Sequence, residues 1–187
     1  NTLANIQALV NSGSPRAGEV LNSLTAYLRA AVPQLDETTN SFKQELKLTS
    51  AYLELMQLRM PDRLTYDLAI DQSIYTLSCP AMTLMTLVEN AIRHGIDPSE
   101  NGGHVQININ RQTDQVIIQV IDTGVGLHYK QNENSTTQST KSGTGLSSLR
   151  ERLKLSFQNN AHLQVFEQQP QGVHAEVTIP AQETQTL

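Results

Sequence analysis

The chain has 187 residues, of which 38% are hydrophobic and 17% charged, and its formal net charge is -5. This composition is typical of a globular protein with a sizeable core, and the negative balance argues against nucleic acid or an anionic membrane as a bulk electrostatic partner. No apolar stretch is long enough to span a bilayer, and the single cysteine, Cys79, cannot form an intrachain disulfide.

Apolar residues recur at steps of three and four through residues 1–60, which predicts three amphipathic helices. The helices are separated at residues 12–15, where Ser14 can act as N-cap before Pro15, and at residues 33–40. Their apolar positions are Leu3, Ile6 and Val10; Ala17, Leu21, Leu24, Leu28 and Ala31; and Phe42, Leu46, Thr49, Leu53, Met56 and Met60. Taken alone, this apolar pattern predicts only a structural helical bundle.

The pattern changes after residue 61, where we predict a domain boundary. Residues 64–70 alternate between apolar and polar side chains as a strand does, and a helix is predicted from near Pro80 to about His94. The mixture of helices and strands indicates an α+β fold.

An antiparallel hairpin is predicted next. Val105, Ile107 and Ile109 alternate with polar residues, and after a turn at residues 112–115 a more apolar strand runs into Asp122. A charged carboxylate is costly to bury at the end of such a strand unless hydrogen-bond donors surround it. Asp122 therefore needs partners.

The segment after the hairpin differs in composition from the rest of the chain. Residues 128–142 are almost entirely Gln, Asn, Ser, Thr and Lys, which cannot fill a core and predict a mobile loop. A helix is predicted from residue 143, and two final strands are predicted at about residues 163–167 and 173–179.

The helix that ends near His94 carries four polar groups at the end of an otherwise apolar sequence. Glu89 and Arg93 stand four residues apart on one face, and Asn90 and His94 form a second pair one residue further round. A solvated, self-paired helix end is the simpler interpretation of this pattern when it is taken alone.

Two glycine motifs follow. In Asp122-x-Gly124-x-Gly126 the glycines permit positive φ and a close approach of backbone or ligand. Gly143-x-Gly145 at the start of a helix is typical of phosphate binding, because it exposes backbone N–H groups where the helix dipole is positive. Each motif alone is equally compatible with a plain turn or loop end.

The order of these features resembles the ATP-binding domain of the GHKL superfamily, which includes sensor histidine kinases, the Hsp90 ATPase and DNA gyrase. The match is closest to the LytS-like sensor histidine kinases. LVENAIRHG at residues 87–95 looks like the N box, DTGVG at 122–126 like the G1 box, and GTGLSSLRER at 143–152 like the G2 box. YLELMQLRMPDRL at residues 52–64 is similar to the connection from the dimerisation region into the catalytic domain.

The resemblance implies a particular domain organisation. Residues 1–60 would be the helical dimerisation region, and residues 61–187 would be the catalytic ATP-binding domain. That domain would be a GHKL-type α/β sandwich, with a mixed, largely antiparallel sheet covered by helices on one face. Residues 127–142 would form the ATP lid, which closes when the triphosphate binds.

The resemblance also implies roles for individual residues. Asp122 would accept a hydrogen bond from the exocyclic amine of adenine, and Gly124 and Gly126 would leave room for the base. Asn90 would bind Mg²⁺ through its side-chain oxygen. Glu89 would orient a metal-bound water or the nucleophile, so that Glu89 and Asn90 are the candidate catalytic residues.

Other residues are expected to contact the nucleotide. Arg93 and His94 would meet phosphate or ribose oxygens, and Lys141 would contact ATP from the lid. The G2-box residues that complete the predicted site are Gly143, Thr144, Gly145 and Leu146. One departure from the superfamily is Val173, because relatives often carry a threonine whose hydroxyl lies near adenine. Adenine recognition is then expected to depend more heavily on Asp122 and water.

The phosphoacceptor histidine of LytS-like kinases lies in a His-Phe-Leu-Phe-Asn segment, and Asn1 looks like the last residue of that segment. The acceptor would then lie just before residue 1, since all five histidines fall within the predicted catalytic domain. We therefore expect this chain to be part of a longer protein, and to bind ATP without autophosphorylating.

The partners and location implied by the resemblance are those of a two-component system. The intact protein would be a homodimer and would pass phosphate to a response regulator of the LytTR type. The chain would be a cytoplasmic domain of a bacterial inner-membrane protein, attached to the membrane only through upstream segments and without direct contact to nucleic acid.

Two alternatives stand beside the kinase. A nucleotide-binding regulatory or scaffold domain could keep this fold without phosphotransfer, although all three boxes are intact. The DTG at residues 122–124 could also belong to an aspartic-protease loop. That interpretation leaves the N and G2 boxes unexplained, and Val125 follows where a small residue is expected.

Overall fold

The computed structural model describes residues 16–34, 36–127 and 144–183. The first predicted helix and nearly all of the predicted lid lie outside these residues. The predicted strands and the remaining helices are confirmed.

The N-terminal part contains two helices, α1 (Ala17–Ala31) and α2 (Phe42–Arg59), with a short 3-10 turn at Val32–Gln34 between them. The rings of Tyr27 and Tyr52 join the two helices, with centroids 5.8 Å apart. A capping box starts α2, since Ser41 Oγ accepts from the Gln44 N–H and the Gln44 side chain accepts from the Ser41 N–H.

The buried face of α1 coincides only in part with the predicted stripe, to which buried Ala31 belongs. Val20, Ala30 and Ala31 are buried, whereas Leu21 and Leu28 are 50% and 47% exposed. A helix of this length presents two candidate apolar faces, and only the packing of α2 decides which of them is covered. The exposed face of α1 is continued by Val32, which is 60% exposed.

The remaining chain forms an α+β unit with two sheets. The strands are β1 (Thr39–Ser41), β2 (Leu64–Ile70), β3 (Leu77–Pro80), β4 (Gly103–Gln112), β5 (Gln115–Asp122), β6 (His162–Glu167), β7 (Val173–Pro180) and β8 (Gln182–Glu183). The main sheet has the order β2-β4-β5-β7-β6, in which only β2 and β4 pair in parallel. The predicted mixed, largely antiparallel sheet is therefore confirmed. A small antiparallel sheet pairs β1, β3 and β8.

Two further helices pack on the main sheet: α3 (Thr83–Asn90), which continues as a π-helical turn at Ala91–Ile96, and α4 (Thr144–Phe157). The buried side chains of β5 alternate along the strand, and Asp122 is the last of them. Because this face is the one that contacts the helices, the carboxylate of Asp122 points toward the helix-covered side of the sheet.

The main core is formed by one cluster of buried side chains to which α2, α3, α4 and the sheet all contribute. Leu53 and Met56 of α2 belong to it together with Leu64 and Ile107 of the sheet, so the core extends across residue 61. The boundary at that residue stays a prediction. The packing of α2 into this core brings it against the helix that carries the predicted N box.

Candidate nucleotide site

Asp122 is the buried acceptor at the centre of the site. It lies at the end of β5, is only 2% exposed, and its Oδ1 accepts a hydrogen bond from the Gly124 N–H at 2.9 Å. Burial raises the pKa of its carboxyl to about 6, although the N–H groups of Gly124 and Val173 lower it. Two backbone donors do not use all the lone pairs of a carboxylate, so Asp122 keeps the capacity to accept from a ligand.

Gly95 brings the N box against the G1 box. A Cβ atom at Gly95 would lie only 2.5 Å from Asp122 Oδ1, and one at Gly124 would overlap the backbone of Gly95. The Val125 N–H donates to the Gly95 carbonyl oxygen at 3.1 Å. The two boxes therefore meet backbone to backbone, which only glycine at these positions permits.

Two glycines close to Asp122 adopt backbone conformations that favour glycine. Gly126 has φ +82°, and Gly172, on the strand side of Asp122, has φ +120°. Both values lie in the region that disfavours side chains. At Gly172 a Cβ would also overlap the backbone oxygen of Asp122. The turn after β5 and the start of β7 are thus held close together around the carboxylate.

The polar end of the N box lies where the helix changes form. Asn90 ends α3, and the wider turn at Ala91–Ile96 follows at once. Such π-helical turns insert an extra residue and often occur at functional sites. Here the wider turn brings Gly95 under Asp122 while Arg93 and His94 stay exposed.

The predicted polar residues of the N box are brought together. Burial lowers the pKa of His94, the nearby charge of Arg93 lowers it further, and Glu89 opposes both. His94 is therefore neutral at pH 7. Asn90 is half-buried, and no described residue hydrogen-bonds its side chain.

Glu89 also faces the helical region, a neighbour that the sequence did not indicate. Burial raises the pKa of Tyr52, and the carboxylate of Glu89 raises it further; the same two causes act on Tyr27. Glu89 of the N box therefore lies near both N-terminal helices.

The G2 box is only partly described. A Cβ atom at Gly145 would lie 3.5 Å from Thr86 Cγ2, so the start of α4 adjoins α3, and Leu146 is buried in the core. Thr144 begins α4, but nothing is described of its side chain. Lys141 and Gly143 lie outside the described residues. The G2 and N boxes are therefore adjacent, as the site requires.

Gly95 and Gly172 are site residues to which the sequence reasoning assigned no role. Gly95 is the last residue of the N box, and Gly172 directly precedes Val173. Both lie in contact with Asp122, and neither contact follows from local sequence because each joins segments far apart in the chain.

The described residues offer no preformed metal cage and no membrane span. Within residues 16–34, 36–127 and 144–183, no three His, Cys, Asp or Glu side chains converge so as to hold a metal ion. None of the helices described combines the length and the apolar character that crossing a bilayer requires.

Two family models match the chain. Residues 80–183 match the histidine kinase-, DNA gyrase B-, and HSP90-like ATPases, and residues 1–64 match the histidine kinases. The first match spans more than half of the chain, which therefore belongs to this family of ATPases. The resemblance to the GHKL superfamily that the three boxes suggested is confirmed.

Among curated relatives, the chain is 31% identical over 184 residues to the sensor protein LytS of Staphylococcus saprophyticus, covering 96% of this chain and 31% of that protein. It is 30% identical over 177 residues to the sensor histidine kinase/phosphatase LytS of Staphylococcus aureus, covering 92% of this chain and 30% of that protein. The likeness to LytS-type sensor kinases is therefore confirmed. The chain spans about a third of the length of these relatives.

Solved structures support the fold. The catalytic domain of histidine kinase ThkA aligns with a TM-score of 0.56 at 18% identity, covering 78% of this chain and 95% of that chain. ThkA in complex with the response regulator protein TrrA aligns with a TM-score of 0.52 at 16% identity, covering 97% of this chain and 58% of that chain. Both alignments confirm the α+β fold.

The raised pKa of Asp122 predicts how stability depends on pH. The pKa of this carboxyl is about 6 in the folded protein, against 3.8 for a free side chain, so the folded state retains a proton that the unfolded state releases. Stability from this group is fully present below about pH 4 and is lost as the pH rises through 6. Asp122→Asn removes the buried charge and should raise the free energy of unfolding at pH 8 by about 1–3 kcal/mol.

The measurement is urea unfolding of both proteins at pH 8 and pH 4, without nucleotide. The gain should largely disappear at pH 4, where the carboxyl of the wild-type protein is protonated. Asp114→Asn, on the exposed turn between β4 and β5, is the matched control and should change little at either pH. A variant that is less stable than wild type at pH 8 would contradict the assignment.

Proposed function

We propose that this chain is the ATP-binding kinase core of a two-component sensor histidine kinase. The observation that carries the proposal is the buried carboxylate of Asp122, held between the N and G1 boxes with acceptor capacity to spare. The chain belongs to this ATPase family and has LytS-type relatives. In such a protein, a buried acceptor of this kind would recognise adenine.

Adenine selection follows from the chemistry of the acceptor. The exocyclic amine of adenine can donate to Asp122, whereas guanine presents a carbonyl at the corresponding position and would leave two acceptors facing each other. Val173 offers only its backbone here, since its side chain cannot hydrogen-bond the base. Asp122, together with water, then supplies the polar recognition.

The N box is proposed to hold the phosphates and a magnesium ion. The half-buried amide of Asn90, which has no described partner, suits a hard cation that takes one protein oxygen and completes its shell with phosphate and water. When bound, Mg²⁺ would neutralise charge on the triphosphate. Arg93 and neutral His94 are exposed donors for phosphate or ribose oxygens, and Glu89 would orient the attacking nucleophile. The remaining proposed contacts, in the lid and the G2 box, are Lys141, Gly143, Thr144, Gly145 and Leu146.

The proposed reaction is transfer of the γ-phosphoryl to a histidine just upstream of residue 1, and then to an aspartate of a response regulator. The chain's residues would contribute positioning and charge stabilisation rather than a covalent step. The structural neighbour ThkA has been solved in complex with the response regulator protein TrrA. By the LytS resemblance, the regulator proposed here is of the LytTR type, and the kinase core would be cytoplasmic.

A homodimer through the helical region is part of the proposal. Leu21, Leu28 and Val32 form an apolar face of α1 that is about half exposed in the single chain. Apolar residues in series on a helix are usually covered, and a second copy of the region would cover them. The scaffold alternative would keep nucleotide binding and this surface but lack phosphotransfer.

Nucleotide titration tests the binding proposal. ATP and ADP should bind the wild-type chain in calorimetry, and GTP should bind far more weakly. Asp122→Asn presents a donor where an acceptor is needed and should weaken ATP binding roughly 10- to 100-fold, equivalent to about 1.5–3 kcal/mol. Asp114→Asn is the matched control. Equal binding of ATP by the folded Asp122 variant would remove this residue from the site.

Labelling separates the kinase from the scaffold. The intact protein incubated with γ-labelled ATP should acquire acid-labile label on the upstream histidine, whereas residues 1–187 alone should acquire none. Substituting that histidine with glutamine should abolish the label while leaving ATP binding intact. ATP binding by the intact protein without any labelling would favour the scaffold instead.

The exposed face of α1 predicts a change in assembly. Leu28→Asp places a charge on that face and should increase the monomer fraction of the intact protein in sedimentation experiments, because a buried charge without a partner is unfavourable. Asn22→Asp adds the same charge at an exposed position of α1 away from that face. The proposed interface would be contradicted if both variants dissociated to the same extent, or if neither variant dissociated.

A further inference from the structure

Glu45 is a fully buried carboxylate on α2 that the proposed chemistry does not use. It is 0% exposed, and its two oxygens accept hydrogen bonds from the N–H groups of Met82 at 2.7 Å and Leu84 at 3.0 Å, and from the Asn40 side chain at 2.9 Å. Met82 is the N-cap residue of α3 and contributes no side-chain cap of its own. Glu45 therefore caps the N-box helix from a different helix.

The opposite end of the N box is held by arginines from the end of α2 and just beyond it. Arg59, the last residue of α2, pairs with Asp97 at 2.6 Å. Arg63 Nη2 donates to the backbone oxygens of Asp97 at 3.0 Å and Ser99 at 2.6 Å. These guanidinium groups lie where the helix presents unpaired carbonyls and a negative partial charge.

These contacts fix the relation between the two helices. The beginning of α2 touches the beginning of α3, and the end of α2 touches the segment after the π-helical turn, so the helices run side by side in the same direction. From Glu45 to Arg59 the helix rises about 21 Å, close to the length of the N-box helix it accompanies. The acceptor oxygens of Glu45 meet the positive end of that helix, and the guanidinium groups of Arg59 and Arg63 lie at its negative end.

Glu45 also acts on the helix of the G2 box. Burial lowers the pKa of Arg152 on α4, and the charge of Glu45 raises it again. Arg152 Nη2 donates to Thr86 Oγ1 on α3 at 3.1 Å. The carboxylate thus lies at the junction of three helices, two of which carry nucleotide boxes.

We propose that Glu45, with Arg59 and Arg63 at the other end, is a positioning residue that sets where the N-box helix places Asn90. The inference rests on the proposed function, because Asn90 is the residue assigned to the magnesium ion. Its consequence is that a change at α2 is passed to the N-box helix and so to Asn90 at the phosphate end of the site, whereas Asp122 belongs to β5 and is held by the sheet.

The test compares Mg²⁺-dependent and Mg²⁺-independent nucleotide binding by this chain in calorimetry. Glu45→Gln keeps the shape of the side chain but replaces one of its two acceptor oxygens with an NH₂ donor that faces an N–H group. It should weaken binding of Mg-ATP roughly tenfold, as loss of a supporting partner does at metal sites, and leave metal-free ADP binding within about twofold. Asn90→Ala provides the reference for loss of the Mg²⁺-dependent part, and Glu54→Gln, exposed on the same helix, is the matched control.

Arg63→Gln tests the contacts at the other end of the N-box helix. It replaces Glu45→Gln as the test variant if that variant does not fold. The same selective loss in this variant supports the proposal. A lower melting temperature with unchanged Mg-ATP affinity of the folded protein, or an equal loss for all nucleotides, would overturn it, because a purely structural role predicts either result. Absence of ATP binding by the wild-type chain would overturn the proposed function itself.

Discussion

The contact between the Gly95 backbone and the Asp122 carboxylate determines how closely the N-box helix approaches the sheet. A side chain at residue 95 would meet Oδ1 directly, and one at residue 124 would meet the backbone of Gly95. A Cβ atom at Gly103 would lie 2.7 Å from Ile96 Cδ1, so the start of β4 also passes close to the end of the N-box helix. Helix, hairpin and turn thus converge on one carboxylate, and the rest of the site is arranged around that point.

The two buried carboxylates of this fold differ in how fully they are used. Glu45 receives three N–H donors and lies among elements of a rigid core, so its acceptor capacity is largely taken up by the protein. Asp122 receives only the backbone N–H groups of Gly124 and Val173, and burial raises the pKa of both carboxyls. A buried acceptor that lacks some of its hydrogen-bond donors carries a free-energy cost in the unliganded protein. A ligand that supplies the missing donor removes this cost, which makes binding more favourable. The number of donors therefore separates a structural carboxylate from a recognition carboxylate.

Local patterns were sufficient for much of this fold, whereas the candidate site came from the resemblance carried by the three boxes, and its residue roles stay predictions. The alternation of Val105, Ile107 and Ile109 predicted the hairpin, and the order of the three boxes predicted which segments would meet. The buried face of α1 could not be predicted, because either face of that helix is apolar enough and the choice depends on α2. Glu45 was not recognised either: a glutamate in an amphipathic helix reads as a solvent-facing residue until its partners, some 40 residues away, are known.

The order of the main sheet has a consequence for biosynthesis. β7 lies between β5 and β6 although it is the last of the three in the chain, so neither neighbour can complete its pairing until residues 173–180 have left the ribosome. Until then β5 presents an open edge rich in valine and isoleucine, a surface prone to pairing with other chains. The nascent protein therefore passes through a period in which its most apolar strand is half paired, and the final strand of the main sheet both closes the core and removes that hazard.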